Sequence, residues 1–177
     1  MTEREQVRKD IYKNICYYCT CKYYAEILLD KKNHLLRVLS VGILVLIVVA
    51  LLYFKLWLPS AFVLLTGFIE TSKGYIAKLF SFLSSDVKML RKARKISEEL
   101  MLKYMDLFHN LTYKKITVDE AYKQNTSLMQ KSVKSNTEMC EAFGKTDEKI
   151  NDLAKKKAEK ELTRKYYEKE SEKSIQQ

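Results

Sequence analysis

The sequence predicts an all-α membrane protein with a two-helix transmembrane hairpin and long cytoplasmic helices, assembling as a homo-oligomer. Two long apolar runs lie between positions 35 and 83, and strongly charged segments flank them. With one proline and four glycines, the chain has few residues that interrupt helices. No run shows the alternating pattern of a strand bounded by turn residues. The predicted segments are an amphipathic N-terminal helix (1–34), the hairpin (35–83), a cytoplasmic helical domain (84–143) and a charged C-terminal helix (144–177).

The N-terminal segment has apolar residues at roughly helical spacing, with basic residues between them. It lacks the apolar core and the cleavage site of a signal peptide. Five tyrosines gather in it: Tyr12, Tyr17, Tyr18, Tyr23 and Tyr24. Tyrosine suits the headgroup layer of a membrane, because its ring is buried there while its hydroxyl stays hydrated. Packing of these rings against later helices of the same chain is an equally open interpretation.

Cys16, Cys19 and Cys21 form a C-x-x-C-x-C pattern, which raises the question of a metal site. Structural zinc takes four ligands, usually as two spaced pairs. The sequence offers only one further cysteine, Cys140, and two isolated histidines. A thioredoxin-like redox motif would need a βαβ context, which the sequence lacks. We therefore expect free, reduced thiols, with no metal and no other cofactor.

The two apolar runs predict transmembrane spans at about 35–55 and 59–80. The first contains seventeen consecutive uncharged residues, 38–54, close to the ~20 that a helix needs to cross a bilayer. Basic residues flank the hairpin on both sides, whereas its tip carries only Lys55. Because short loops rich in lysine and arginine stay in the cytoplasm, both termini are predicted to be cytoplasmic.

Charged residues interrupt the second apolar run, beginning with Glu70 and Lys73. If the two helices pair around a turn near Trp57, Glu70 lies level with Leu44, about 10 Å inside the membrane. A charge at that depth normally faces a bundle interior or a water-filled cavity. Small and polar residues share this face of the helix, and the predicted pore-lining residues among them are Thr66, Glu70, Lys73 and Ala77.

Two helices cannot enclose a pore, so the polar face predicts a homo-oligomer with the second helices around its axis. Closed symmetric assemblies are usual, and we expect about four subunits. Rings of Glu70 and Lys73 would then contribute to ion selectivity. Alternatively, the second span ends near Ile69 and leaves Glu70 at the membrane surface. An ion pair between Glu70 and Lys73 is also compatible with their spacing.

A basic cluster follows the hairpin, and we call it the basic collar: Lys88, Arg91, Lys92, Arg94 and Lys95. The chain's net charge of +10 implies an acidic partner. A juxtamembrane cluster attracts anionic membrane lipids by ~1 kcal/mol per basic residue. Around an oligomer, the same cluster would alternatively hold the phosphates of a nucleic acid. Of the two, lipid attraction is the commoner role for such a cluster. Basic residues continue along the next helices. Attraction to lipids fades within a Debye length of the membrane surface, so these more distant charges favour a soluble polyanion as the partner.

Helix-capping residues divide the segment that follows. Asp86 is a candidate N-cap, and Thr117 with Glu120 has the capping-box pattern that begins another helix. That helix has many polar residues, so we expect it to be thinly buried or dependent on a partner. Gly144 suits its end and Asp147 suits a restart. The remaining chain is nearly all charged or polar, which predicts a solvated helix or a loose coiled coil.

Residues typical of enzymes are missing from the sequence. It contains no Walker loop, no Rossmann-type glycine motif and no nucleophile with a plausible histidine base, so we predict no catalytic residues and no enzymatic activity. Tyr104, Phe108 and Tyr113 lie near the basic residues and are candidates for stacking on nucleic-acid bases, although core packing suits them as well. The sequence is more typical of an effector or a scaffold.

A basic helical N-terminus here precedes a two-span hairpin, and a juxtamembrane helix then ends in YMDLF at 104–108. The step ITVDEA at 116–121 leads into a further helix. Over about 22–142, this arrangement resembles the SLATT family, which are two-span bacterial membrane effectors associated with nucleotide-signalling antiphage systems. The resemblance implies a pore-forming effector that oligomerises in the bacterial inner membrane. A partner nucleotidyltransferase would make the nucleotide or single-stranded oligonucleotide that gates it, and opening would depolarise the infected cell.

Two other functions stay open on the sequence. A holin-like lysis protein also combines two spans with a basic tail, and it would kill cells without a signalling partner. A non-conducting membrane anchor or scaffold would recruit a partner through its charged C-terminal helices, and it would tolerate replacement of Glu70 by leucine.

Overall fold

A computed structural model describes the backbone of residues 2–53 and 59–175, with side chains except at 44, 47, 48, 50–52, 59–84 and 165–175. The chain forms four helices: α1 (Glu3–Tyr53), α2 (Pro59–Thr112), α3 (Val118–Phe143) and α4 (Glu148–Ile175). No strand occurs within the described ranges, so the predicted all-α class is confirmed.

The predicted membrane hairpin falls largely on positions for which side chains are not described. In the part of the chain that is described, no helix is both long enough and apolar enough to cross a membrane. The predicted pore-lining residues lie outside the described side chains: Thr66, Glu70, Lys73 and Ala77. Their backbone belongs to α2. The hairpin and the homo-oligomer stay predictions.

The chain divides into two compact units. The first comprises Met1–Leu28 and Leu90–Gln177, and we call it the bundle because segments of all four helices form it. The second comprises Leu29–Met89, and we call it the hairpin unit. Helices α1 and α2 each contribute to both units.

In the hairpin unit, an ion pair joins α1 to α2. Lys32 Nζ lies 2.8 Å from Asp86 Oδ2. The prediction that Asp86 caps a helix is wrong, because α2 continues without a break from Pro59 to Thr112. With no free helix terminus beside it, the Asp86 carboxylate accepts a hydrogen bond from Lys32 instead. This pair sets which positions of the two helices lie level with each other.

The bundle is built on the N-terminal part of α1, which contacts each of the other three helices. The ring of Tyr18 stacks on Tyr104 of α2, with centroids 5.5 Å apart. Its hydroxyl donates a hydrogen bond to Asn136 Oδ1 of α3 at 3.1 Å. One residue further on, Cys19 Sγ lies 4.0 Å from the Ala158 carbonyl oxygen of α4. Helices α2, α3 and α4 therefore share α1 as their common packing surface.

Two of the five N-terminal tyrosines are core residues, which matches the interpretation that they pack against later helices. Tyr18 and Tyr24 are 3% and 4% exposed. Tyr24 makes an edge contact with Phe143 of α3, and its hydroxyl accepts a hydrogen bond from the Asp147 backbone N–H at 2.9 Å. Tyr17, in contrast, is 48% exposed. Tyr24 therefore anchors both ends of the α3–α4 connection to α1.

The predicted helix boundaries around α3 are confirmed. Thr117 and Glu120 form a capping box, in which each side chain accepts from the other residue's backbone N–H. The hydrogen bond from the Thr117 backbone lowers the pKa of Glu120 below its usual value. Gly144 ends the helix with a φ of 61°, a conformation that favours glycine. Asp147 then caps α4 by accepting from the Ile150 backbone N–H at 3.3 Å.

Helix α4 is a full member of the bundle over its described part, so the prediction of a solvated C-terminal helix is wrong there. Its buried residues recur at helical spacing: Ile150, Ala154, Ala158 and Leu162. The small alanines allow the backbone of α4 to approach α1 closely, which explains why few large apolar residues were needed.

Helix α3 is buried through a mixture of apolar and polar residues. Ala121 and Met139 belong to the core, and Asn125 and Ser132 are buried with them. Asn125 Oδ1 accepts a hydrogen bond from Asn14 Nδ2 of α1 at 3.3 Å. Burying a polar group that is hydrogen-bonded in this way costs little free energy, and it favours one pairing of the helices over others.

Lys22 lies where α1, α2 and α4 meet. Its Nζ is 3.7 Å from Glu98 Oε1 of α2 and 3.5 Å from Glu161 Oε2 of α4. The Lys22 and Glu161 side chains are each only 12% exposed, while Glu98 is 43% exposed. Removing one member of such a cluster leaves the others desolvated without a counter-charge.

We expect Lys22→Met to lower the free energy of unfolding by about 2 kcal/mol, less than the ~3–5 kcal/mol of a fully buried pair, because Glu98 is partly hydrated. Urea unfolding of the purified chain at pH 7 measures this loss. Lys13→Met is the matched control, since Lys13 is 65% exposed and its ion pair among the described residues is with Asp10 of its own helix. That change should cost less than ~1 kcal/mol. Equal losses for the two variants would contradict a structural role for Lys22.

Candidate functional site

Part of the basic collar lies on the face of α2 that is opposite the bundle core. Leu90, Ala93 and Ser97 are almost fully buried on the inner face of this helix. Because α-helical side chains repeat every 3.6 residues, Arg91 and Lys95 then lie on the outer face. All five collar residues are exposed.

Four of the collar residues belong to the bundle, and the fifth belongs to the hairpin unit. The hairpin unit ends at Met89, so Lys88 is part of it, and its side chain is exposed there. The structure brings the other four together on one stretch of α2: Arg91, Lys92, Arg94 and Lys95.

Two of these four residues hold neighbouring helices against α2. Lys92 Nζ lies 2.9 Å from Glu138 Oε2 of α3. On the other side, Arg94 Nε lies 3.0 Å from Glu26 Oε1 of α1. Their positive charge is therefore partly neutralised by carboxylates of the same bundle. We call these two ion pairs the collar clamps.

The other two collar residues of the bundle, Arg91 and Lys95, are available to an external anion. Lys95 is 80% exposed, and its Nζ is 3.9 Å from Glu99 of the next turn, a distance at the limit of an ion pair. Arg91 has no ion-pair partner among the described residues. Side chains four residues apart on a helix are neighbours, so Arg91 and Lys95 form one cationic spot. A guanidinium can bind a phosphate through two parallel hydrogen bonds, and the ammonium adds a point charge beside it.

Basic side chains beyond the collar are also exposed on the bundle, namely Lys103, Lys131 and Lys134. The candidate stacking residue Tyr104 is different, because its ring is fully buried against Tyr18. Burial raises the pKa of Tyr104 to about 12. Tyr104 is therefore a core residue and not a surface on which a base can stack.

Phe108 also packs within the bundle. Its ring lies 6.1 Å from that of Tyr12, and the Arg8 guanidinium lies 5.3 Å above it. Tyr113 is 39% exposed, and its ring is 4.2 Å from that of His109. Of the three aromatic candidates, Tyr113 is therefore the one with substantial free surface.

The cysteines of the C-x-x-C-x-C pattern face different helices. Cys19 Sγ lies 3.7 Å from Glu161 of α4. Cys21 interacts electrostatically with Cys140 of α3 instead. None of the four cysteines forms a disulfide, and no group of three metal-ligating side chains occurs in the described residues.

Sequence reasoning missed the carboxylates that complete the site. Glu26 and Glu138 are remote from the collar in the sequence, and each pairs with it only because helices pack side by side. An exposed carboxylate on a helix has no local sequence signature that identifies the cation with which it will pair.

Comparison of the chain with protein-family models, with curated proteins and with solved structures finds no match.

We expect Arg94→Gln to lower the free energy of unfolding by about 1 kcal/mol, because Glu26, only 26% exposed, loses the cation that ties α1 to α2. Arg91→Gln is the comparison, and it should change the same quantity by less than ~0.5 kcal/mol. Urea unfolding of both variants measures the difference. A loss for Arg91→Gln as large as that for Arg94→Gln would mean that Arg91 also has a structural partner.

Proposed function

We propose that the protein is a pore-forming effector of antiphage defence in the bacterial inner membrane, with both termini in the cytoplasm. In this proposal, a nucleotide or oligonucleotide made by a partner nucleotidyltransferase binds the basic collar and controls the pore. Opening depolarises the membrane and causes growth arrest or death. The observation that carries the proposal is that α2 is one continuous helix, Pro59–Thr112, which contains both the predicted pore-lining positions and the collar.

The proposed ligand first meets the available cations of the collar. Arg91 and Lys95 engage phosphate groups and release their counterions, so binding weakens steeply with salt. A phosphate that approaches these residues also competes with Glu138 for Lys92 and with Glu26 for Arg94, the two cations of the collar clamps. Exchange of a clamp carboxylate for a ligand phosphate loosens α2 from α1 or α3, and this exchange is the switch.

The pore itself is formed in this proposal by the second helices of about four subunits. Lys32 and Asp86 lie level with each other, with Nζ and Oδ2 2.8 Å apart. If the two helices run antiparallel and keep this register, position 48 lies level with position 70. Glu70 then lies about 16 Å beyond the level of Arg37, deeper than the sequence alone suggested. A carboxylate at that depth requires a polar surrounding, which neighbouring subunits supply around an axis.

Continuity of α2 also provides the link between ligand and pore. In this proposal, displacement of the cytoplasmic part of α2 is passed along the helix to the part that contains the pore-lining positions. The ligand can bias the pore only to the extent that it binds one arrangement of α2 better than the other. Competition at the collar clamps supplies this difference in affinity.

One observation favours a second candidate, the non-conducting anchor that recruits a partner. Helix α3 has an exposed apolar face, on which Tyr122, Met129 and Val133 are 62%, 52% and 63% exposed. These residues recur at helical spacing, as in surfaces that bind another helix. An anchor of this kind would lose partner recruitment with Val133→Lys while tolerating Glu70→Leu.

The proposal predicts that the purified protein in liposomes supports ion flux that depends on an added single-stranded oligonucleotide. Glu70→Ala should change the flux several-fold, because it removes the charged ring from the pore. Glu141→Ala is the matched control, since Glu141 is an exposed carboxylate of α3. Potassium release reported by a fluorescent dye measures the flux.

Absence of flux with every nucleotide ligand would contradict the proposal. Ligand-independent release of large dyes would instead support the holin-like alternative. Unchanged flux in Glu70→Ala, with ligand dependence retained, would remove Glu70 from the pore while leaving the rest of the proposal standing.

A further inference from the structure

Two contacts between α1 and α3 lie on either side of a pair of cysteines, Cys21 and Cys140. On one side, the Tyr18 hydroxyl donates to Asn136 Oδ1 at 3.1 Å. On the other side, the rings of Tyr24 and Phe143 meet with their centroids 5.0 Å apart. These contacts fix which turns of the two helices lie side by side.

Cys21 lies midway between the two α1 residues of these contacts, and Cys140 lies between the two α3 residues. Each cysteine is about one helical turn from either contact, so both belong to the helix faces that these contacts bring together. Cys21 is 9% exposed, whereas Cys140 is exposed to solvent. The two helices therefore present one buried and one accessible thiol to each other.

The electrostatic environment shows the same proximity. The pKa of Cys21 is raised to about 11, mainly by burial and also by Cys140, while a hydrogen bond with Tyr17 opposes the shift. The pKa of Tyr17 is itself raised, mainly by burial and also by both Cys21 and Cys140. The Tyr17 hydroxyl therefore interacts electrostatically with both thiols.

We propose that Cys21 and Cys140 form a redox site that a peroxide oxidises to a disulfide joining α1 to α3. The Cys140 thiolate attacks one peroxide oxygen, the O–O bond breaks, and Cys140 becomes a sulfenic acid as hydroxide leaves. The Cys21 thiolate then attacks the Cys140 sulfur, the S–O bond breaks and a second hydroxide leaves. The two thiol protons convert both hydroxides to water, so two electrons pass from the thiols to the peroxide.

The order of these steps follows from exposure. Oxidants reach accessible thiols first, which assigns the first attack to Cys140. Cys21 reacts second, because its thiol is buried and only a small fraction is ionised at neutral pH. Disulfide formation should therefore accelerate as the pH rises from 7 to 9. Thiol reductants reverse the bond by exchange.

The other two thiols of the N-terminal cluster do not face Cys140. Cys19 is fully buried and lies against Ala158 and Glu161 of α4. Burial raises the pKa of Cys16, with Tyr12 and Glu159 as its neighbours. The polar neighbours of these two thiols lie on α1 and α4, whereas those of Cys21 include Cys140, which is why the site pairs Cys140 with Cys21.

The test oxidises the purified full chain with hydrogen peroxide, blocks remaining thiols with N-ethylmaleimide and digests with trypsin. Cleavage after lysine releases peptide 14–22, which carries Cys16, Cys19 and Cys21, and peptide 135–145, which carries Cys140. Mass spectrometry of the joined peptides, with fragmentation, identifies the linked cysteines. The expected product joins Cys21 to Cys140 and disappears after treatment with dithiothreitol.

Three variants sharpen the test. Cys140→Ser alters an exposed residue, so the chain should fold normally and lose the joined peptide. Cys21→Ser should leave Cys140 as a sulfenic acid that dimedone labels, several-fold more than in the unchanged chain. Cys16→Ser is the control and should form the disulfide as before.

A bond from Cys140 to Cys16, to Cys19 or to Cys140 of another chain would overturn the proposal. Overoxidation of Cys140 without any disulfide would overturn it as well. This redox site does not depend on pore formation, so its failure would leave the proposed function untouched.

Discussion

Packing on the N-terminal part of α1 is the constraint on which the rest of the bundle depends. Tyr18 alone contacts two helices, through a ring stacked on Tyr104 and a hydroxyl bonded to Asn136. Lys22, one turn later, holds carboxylates of α2 and α4. Helices α2, α3 and α4 are therefore held by contacts with the same helix, so a change in α1 alters the packing of all three. This arrangement also explains why buried tyrosines concentrate in the first segment of the chain.

The collar combines two kinds of cation that look alike in the sequence. Lys92 and Arg94 hold helices together through carboxylates, whereas Arg91 and Lys95 face solvent. An arriving polyanion would meet the second kind first and would then compete for the first. In the proposed mechanism, ligand binding would weaken the bundle, because the phosphate would compete with Glu138 for Lys92 and with Glu26 for Arg94. Such a coupling is what a ligand-controlled effector requires.

Local signals made part of this fold predictable. The capping box at Thr117 and the helix stop at Gly144 depend on neighbouring residues only, and both are confirmed. The burial of α4 was missed because its inner face uses Ala154 and Ala158, which helices also carry on exposed faces. Asp86 was mistaken for a cap because its partner, Lys32, lies on another helix. Contacts between distant segments have no signature within a short window of sequence.

The central claim is that the outer face of α2 binds a polyanion. Fluorescence anisotropy with a labelled single-stranded oligonucleotide, at 50 and 200 mM salt, tests it on the purified chain and on Arg91→Gln/Lys95→Gln. The account predicts at least tenfold weaker binding for the double variant, with the slope of log affinity against log salt reduced by about 1.4, or ~0.7 for each lost phosphate contact on a single strand. Equal affinities and equal salt slopes for the two proteins would contradict it.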